Sequence, residues 1–169
     1  MVYLPRTYLP GGDGRLKPVA KPTRAQENLP DAGFVFASFN RSYKFQPETF
    51  DVWMRLLHAV QGAVLWLPSL RFAPDNLKRE AEARGVNADR LIFAQARPAI
   101  EDHIARLGLA DLFLDTLPYN AHSTALDALR AGERWRINTD THFVFEWVDA
   151  LTREPAILDA VERVLGPNL

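Results

Sequence analysis

Leu109-Ala110-Asp111-Leu112-Phe113-Leu114-Asp115-Thr116-Leu117-Pro118-Tyr119-Asn120-Ala121-His122-Ser123-Thr124-Ala125-Leu126-Asp127 is an apolar run, then a polar turn, then the opening of a helix. The run Leu112-Phe113-Leu114 reads as a buried strand. His122, Ser123 and Thr124 fall where the helix begins, so an imidazole and two hydroxyls gather among unpaired backbone N–H groups at the positive end of a helix dipole. Phosphates and other anions bind well in such places.

The same grammar repeats upstream. Phe34 to Phe39 and Ala63 to Leu67 are compact apolar runs, and Leu91-Ile92-Phe93 is a third. Between them lie helical segments. Pro47 opens one, with Phe50, Trp53, Leu56, Leu57 and Val60 on a single face. Asp75 to Arg84 forms another, closed by Gly85, and Ile100 to Leu107 a third. Strict alternation of strand and helix predicts an α/β fold: a parallel sheet of about four strands flanked by helices. Ligands of such sheets bind beyond the carboxyl ends of the strands. The polar clusters Asn40-Arg41-Ser42-Tyr43-Lys44 and Asn120 to Thr124 each follow a strand, so both are expected on that rim.

The alternation stops near Gly132, where Glu133-Arg134-Trp135-Arg136 is charged and an apolar strand is due. Three segments result: an extended, Pro- and Gly-rich lead-in over 1–30, an α/β lobe over 31–132, and a tail over 133–169 of two amphipathic helices. A chain of 169 residues, 47% apolar and 24% charged, has material for one packed domain. Its net charge of −1 carries no electrostatic footprint for nucleic acid. It has neither a bilayer-length apolar run nor a signal-peptide core, and its lack of cysteine removes disulfides, thiolate metal sites and Cys nucleophiles. These features lead us to expect a cytoplasmic protein without metal or cofactor.

Leu114-Asp115-Thr116 followed by His122-Ser123-Thr124-x-x-Asp127 resembles the strand, Leu-Asp-Thr, loop and His-Thr-Thr-x-x-Asp pattern of the O-linked N-acetylglucosamine transferase family. Phe39-Asn40-Arg41-Ser42-Tyr43-Lys44 resembles that family's Phe-Asn-x-x-Tyr-Lys, and Ala99 to Arg106 its segment near the uracil base. The resemblance covers about residues 2–132 and implies a Rossmann-like sheet, part of the second lobe of a GT-B glycosyltransferase. It implies UDP or UDP-N-acetylglucosamine as ligand, with a protein acceptor. By the same resemblance His122, Ser123 and Thr124 hold the diphosphate, Asp127 contacts the ribose, and His103 approaches the base. Lys44 neutralises the departing diphosphate and is the catalytic candidate. Arg41 stands where the family commonly has an amide side chain, and adds positive charge to the donor site.

Structural readings of the same residues stand beside these. Thr124 to Asp127 is also a capping box with Thr124 as the N-cap, Lys44 also suits a solvated lysine before a helix, and His103 an exposed helical histidine. The tail resembles an N-terminal stretch of phytanoyl-CoA dioxygenase-like proteins, which bind iron through two histidines and a carboxylate. The chain contains no His-x-Asp or His-x-Glu, so His142 is read as structural. The family's first lobe has no counterpart here. The chain is therefore expected to bind the donor and to be inactive alone, unless another chain supplies the missing lobe. A non-catalytic α/β binding or interaction module is the alternative.

Overall fold

Four short parallel strands carry the structure, a computed structural model that describes residues 19–70 and 73–131. They are β1 (Val35–Ala37), β2 (Val64–Pro68), β3 (Leu91–Ala94) and β4 (Leu112–Phe113), in the spatial order β3-β2-β1-β4. Helices α1 (Pro47–Ala59), α2 (Ala73–Ala83), α3 (Ile100–Leu107) and α4 (Ser123–Ala131) alternate with them. The sequence-predicted sheet is thus present, with four strands. The tail helices expected over 133–169, and His142 within them, lie outside the described residues.

Side chains alternate across the strands, and both faces are covered, as a parallel sheet requires. Phe36, Leu65, Leu67 and Leu91 pack against Phe50, Trp53, Met54 and Leu57 of α1 and Ala81 of α2. Val35, Ala37, Val64 and Trp66 point the other way, toward Leu107 of α3 and Ala128 and Ala131 of α4. The first two crossovers move outward from β1 to β3. The third carries the chain back past β1 to β4, with its helix on the opposite face. Right-handed crossovers require that change of face when the direction of winding reverses. The reversal leaves β1 and β4 as neighbours whose chains continue toward helices on opposite faces, the switch point at which sheets of this kind form a crevice.

Local signals place the ends. Pro47 starts α1 behind Gln46. After α2, Gly85 takes φ of +75°, its N–H bonds the carbonyl of Glu82, and the N–H of Val86 bonds that of Ala81. This is the paired 5→2 and 6→1 closure of a helix C-terminus.

Part of the segment read as a lead-in is integral to the lobe. Leu29 is buried in the core beside Val35 and Trp66, and Glu27 is also buried. Arg24 donates to the carbonyls of Pro30 and Gly33 and pairs with Asp111 at 3.4 Å. Asp111 in turn accepts the Val35 N–H at 2.8 Å, so the start of β4 is tied to the start of β1.

Gly33 precedes β1 with φ of +106°, and a Cβ there would stand 2.5 Å from the carbonyl oxygen of Gly62. Gly33→Ala is therefore expected to destabilise the fold by more than about 2 kcal/mol, combining left-handed strain with a backbone clash. Urea denaturation checks this, and an unchanged midpoint would contradict the close approach.

Candidate functional site

The loops after β1 and β4 meet over the crevice through two contacts. Lys44 ends a 3-10 turn over Ser42–Lys44, and its Nζ donates to the carbonyl oxygen of Asn120 at 3.0 Å. Thr124, in the first turn of α4, donates from Oγ1 to Oδ1 of Asn40 at 3.1 Å. Both contacts link positions that share the β1/β4 boundary.

Lys44 is only 9% exposed, which a solvated lysine would not be. Its ammonium lies 4.1 Å from the centroid of the Tyr119 ring, on the ring's electron-rich face. Among the described residues it has no carboxylate partner. A cation removed from water without a counter-charge is costly, and a carbonyl and a ring face compensate only in part. An anion entering the crevice would complete the compensation.

The β4–α4 loop is shaped by Asp115. Its Oδ1 accepts the N–H groups of Thr116 and Ala121, at 2.7 and 2.6 Å, and its Oδ2 accepts from the Asn120 side chain at 3.1 Å. Thr116, fully buried, donates to the carbonyl of Tyr119 at 2.8 Å. Carboxylates at strand ends commonly fold the backbone in this way. The loop thereby delivers Tyr119 to Lys44, and His122 to the helix start, with the two rings 5.9 Å apart.

Helix α4 begins at Ser123, so the residue ahead of it is His122, whose carbonyl accepts the Leu126 N–H. The expected capping box with Thr124 as N-cap is not formed. Thr124 already lies inside the helix, and its hydroxyl is committed to Asn40. Ser123 and His122 are exposed at this terminus. Asn40 is 1% exposed, and its Nδ2 has no hydrogen-bond partner among the described residues.

Arg41 is exposed at the start of the turn that ends in Lys44. Asp127 lies one turn into α4, 3.9 Å from Arg130. His103 occupies the first turns of α3 and is half-buried, not exposed as a surface helix position would be. Its ring packs edge-on against Phe39 at 5.4 Å, and Nδ1 meets Nη2 of Arg106 at 3.0 Å. Helices α3 and α4 pack side by side, so His103 and Ser123 mark neighbouring helix starts on one rim. Lys44, Thr124, His122 and Ser123 come together, while His103 stands one helix away.

Sequence reasoning missed Asp115 and Tyr119 as builders of this site. The carboxylate directly after a strand was the available signal for Asp115. Nothing in the sequence marked Tyr119 as the cover of Lys44.

A model of glycosyl transferase family 41 matches residues 9–138. The chain is 39% identical over 113 residues to the UDP-N-acetylglucosamine–peptide N-acetylglucosaminyltransferase of Caenorhabditis elegans, a match covering 65% of this chain and 10% of that protein. It is 39% identical over 140 residues to the probable UDP-N-acetylglucosamine–peptide N-acetylglucosaminyltransferase SEC of Arabidopsis thaliana, covering 78% of this chain and 14% of that one. A solved structure, a lysine mutant of the Thermobaculum terrenum O-GlcNAc transferase, superposes with a TM-score of 0.62 at 27% identity, over 99% of this chain and 34% of the other. The chain therefore spans only a small part of the curated relatives it matches. It belongs to glycosyl transferase family 41, and its parallel sheet is that of an O-GlcNAc-transferase-like GT-B lobe.

Proposed function

We propose that the β1/β4 crevice holds the diphosphate of UDP-N-acetylglucosamine, and that this lobe is the donor side of a protein N-acetylglucosaminyltransferase. The observation that carries the reading is Lys44: a buried ammonium at the meeting of two loops, with a carbonyl and a ring face and, among the described residues, no carboxylate beside it. Family membership and the name shared by the relatives supply the donor.

Breaking the bond between the sugar and its phosphate leaves negative charge on the departing UDP. Lys44 answers it with a fixed positive charge, and His122, Ser123 and the first N–H groups of α4 answer it with hydrogen bonds and the helix dipole. Arg41 adds a second cation at the turn, Asp127 receives the ribose hydroxyls, and His103 meets the base. Transfer to a peptide hydroxyl also needs an acceptor held in line, which can account for roughly 7–11 kcal/mol of a barrier. In this reading the acceptor side comes from another segment or chain.

Calorimetric titration tests the binding. Hydrogen bonds to charged groups contribute roughly 1.5–3 kcal/mol. Lys44→Met should therefore weaken UDP binding about tenfold or more, and leave uridine binding nearly unchanged. The pair Ser123→Ala and Thr124→Val should also act on UDP. Equal losses for UDP and uridine would show that Lys44 serves the scaffold. A peptide-library labelling assay with the isolated chain should show no transfer above donor hydrolysis. Labelling that disappears with His122→Ala would refute the need for an acceptor side.

Asp127 gives a separate prediction. Burial raises its pKa above the ordinary carboxylate value, and Arg130 opposes that shift only in part. The folded state thus holds the Asp127 proton more tightly than the unfolded chain does. The group's contribution to stability is most favourable in acid and falls as pH rises through the unfolded and then the folded pKa. Asp127→Asn should therefore gain stability relative to the parent chain between pH 4 and pH 7, read from melting temperatures at both. A constant difference would exclude the burial effect.

A further inference from the structure

The peptide group between Asn120 and Ala121 has a charged side chain at each end. Its carbonyl oxygen accepts from Nζ of Lys44 at 3.0 Å, and its N–H donates to Oδ1 of Asp115 at 2.6 Å. Oδ2 of Asp115 holds Asn120 by its side chain as well, accepting from Nδ2 at 3.1 Å. The peptide is trans, so its C=O and N–H point in opposite directions. Ammonium, peptide and carboxylate therefore form a chain in which every donor faces an acceptor. The negative end of the peptide dipole meets Lys44, the positive end meets Asp115, and bonds aligned in this way polarise one another. The two charges differ in environment: Lys44 is buried and Asp115 is exposed. The carboxylate thus acts on a buried cation without being desolvated itself. It also leaves the ammonium unoccupied by a direct pair, since Lys44 directs only one of its three N–H donors at this peptide.

We propose that Asp115 is a positioning residue for Lys44: it locks the Asn120–Ala121 peptide with the carbonyl toward Lys44, and that carbonyl holds the ammonium over the Tyr119 ring, where an anion can meet it. The anion contact rests on the donor-site reading above, whereas the placement of Lys44 does not. With its acceptor gone, the peptide can turn about the single bonds on either side of it, and the ammonium loses its fixed partner. The sign of the effect on an anion separates this role from plain electrostatics. Removing a negative charge near an anion site strengthens anion binding by Coulomb's law. Losing the placement of Lys44 weakens it.

NMR spectra of the chain with labelled lysine test the placement without any ligand. The chain has four lysines, and Lys44→Met identifies the signal of interest. In the parent chain the Lys44 ε-protons should lie upfield of those of free lysine, because the ammonium stands over the face of the Tyr119 ring. Tyr119→Leu should abolish that shift. Asp115→Ala should move the Lys44 signal toward free lysine, and Asp115→Asn, which keeps one acceptor for the Ala121 N–H, should move it less. A parent-like signal in Asp115→Ala overturns the proposal, and where that variant does not fold, a parent-like signal in Asp115→Asn does so. Calorimetry with inorganic pyrophosphate adds the ligand arm, using whichever of the two Asp115 variants folds. Loss of Asp115 should weaken binding about tenfold, the effect of one hydrogen bond to a charged group. The same substitution should have no further effect in a chain that already carries Lys44→Met. Binding that strengthens, or that weakens equally with and without Lys44, overturns the role of Asp115. A parent chain that binds no pyrophosphate overturns the donor-site reading, while the lysine spectra still decide what places Lys44.

Discussion

The pairing of β4 with β1 is the constraint on which the site depends. It is a slender contact, only two residues long, and side chains reinforce it at its entrance. Asp111 accepts the Val35 N–H and its own N–H reaches the Val35 carbonyl, with Arg24 bracing the carboxylate. At the exit, the Leu114 N–H bonds the Ala37 carbonyl. Without this pairing the Asn40–Lys44 loop would face solvent, and the start of α4 would have nothing opposite it. With it, two polar loops distant in sequence meet across the β1/β4 boundary, where sheets of this kind bind their ligands.

Much of this geometry was legible in the sequence because the signals were local. Alternating apolar runs and helical stripes identify a parallel sheet, and the position of polar clusters after strands identifies the rim. The contacts that finish the site are long-range and carry no local signature. Lys44 looks like any lysine ahead of a helix until Tyr119 and Asn120 arrive from the far side of β1. Glu27 sits in a Pro- and Gly-rich stretch that reads as a lead-in, and its burial becomes visible only when Arg97 and Arg106 fold over it. The Thr124-to-Asp127 spacing satisfies a capping rule, yet tertiary structure claims the hydroxyl for Asn40. A one-residue difference in the helix start is sufficient for that change.

Among the described residues, the two buried cations stand in opposite states. Arg106 is neutralised within the chain by Glu27, at the expense of burying a carboxylate that Arg97 must help to satisfy. Lys44, almost as buried, is given a carbonyl and a ring face, both of which solvate a cation without cancelling its charge. A carboxylate beside Lys44 would stabilise the empty fold more, since breaking or omitting a buried pair is costly. In the proposed reading it would also occupy the charge that a diphosphate needs. With none beside it among the described residues, the Lys44 charge is in that reading left available to a ligand. Arg106 has a carboxylate partner within the fold in Glu27. In the reading proposed above, Lys44 is the residue placed to meet charge that develops in a ligand.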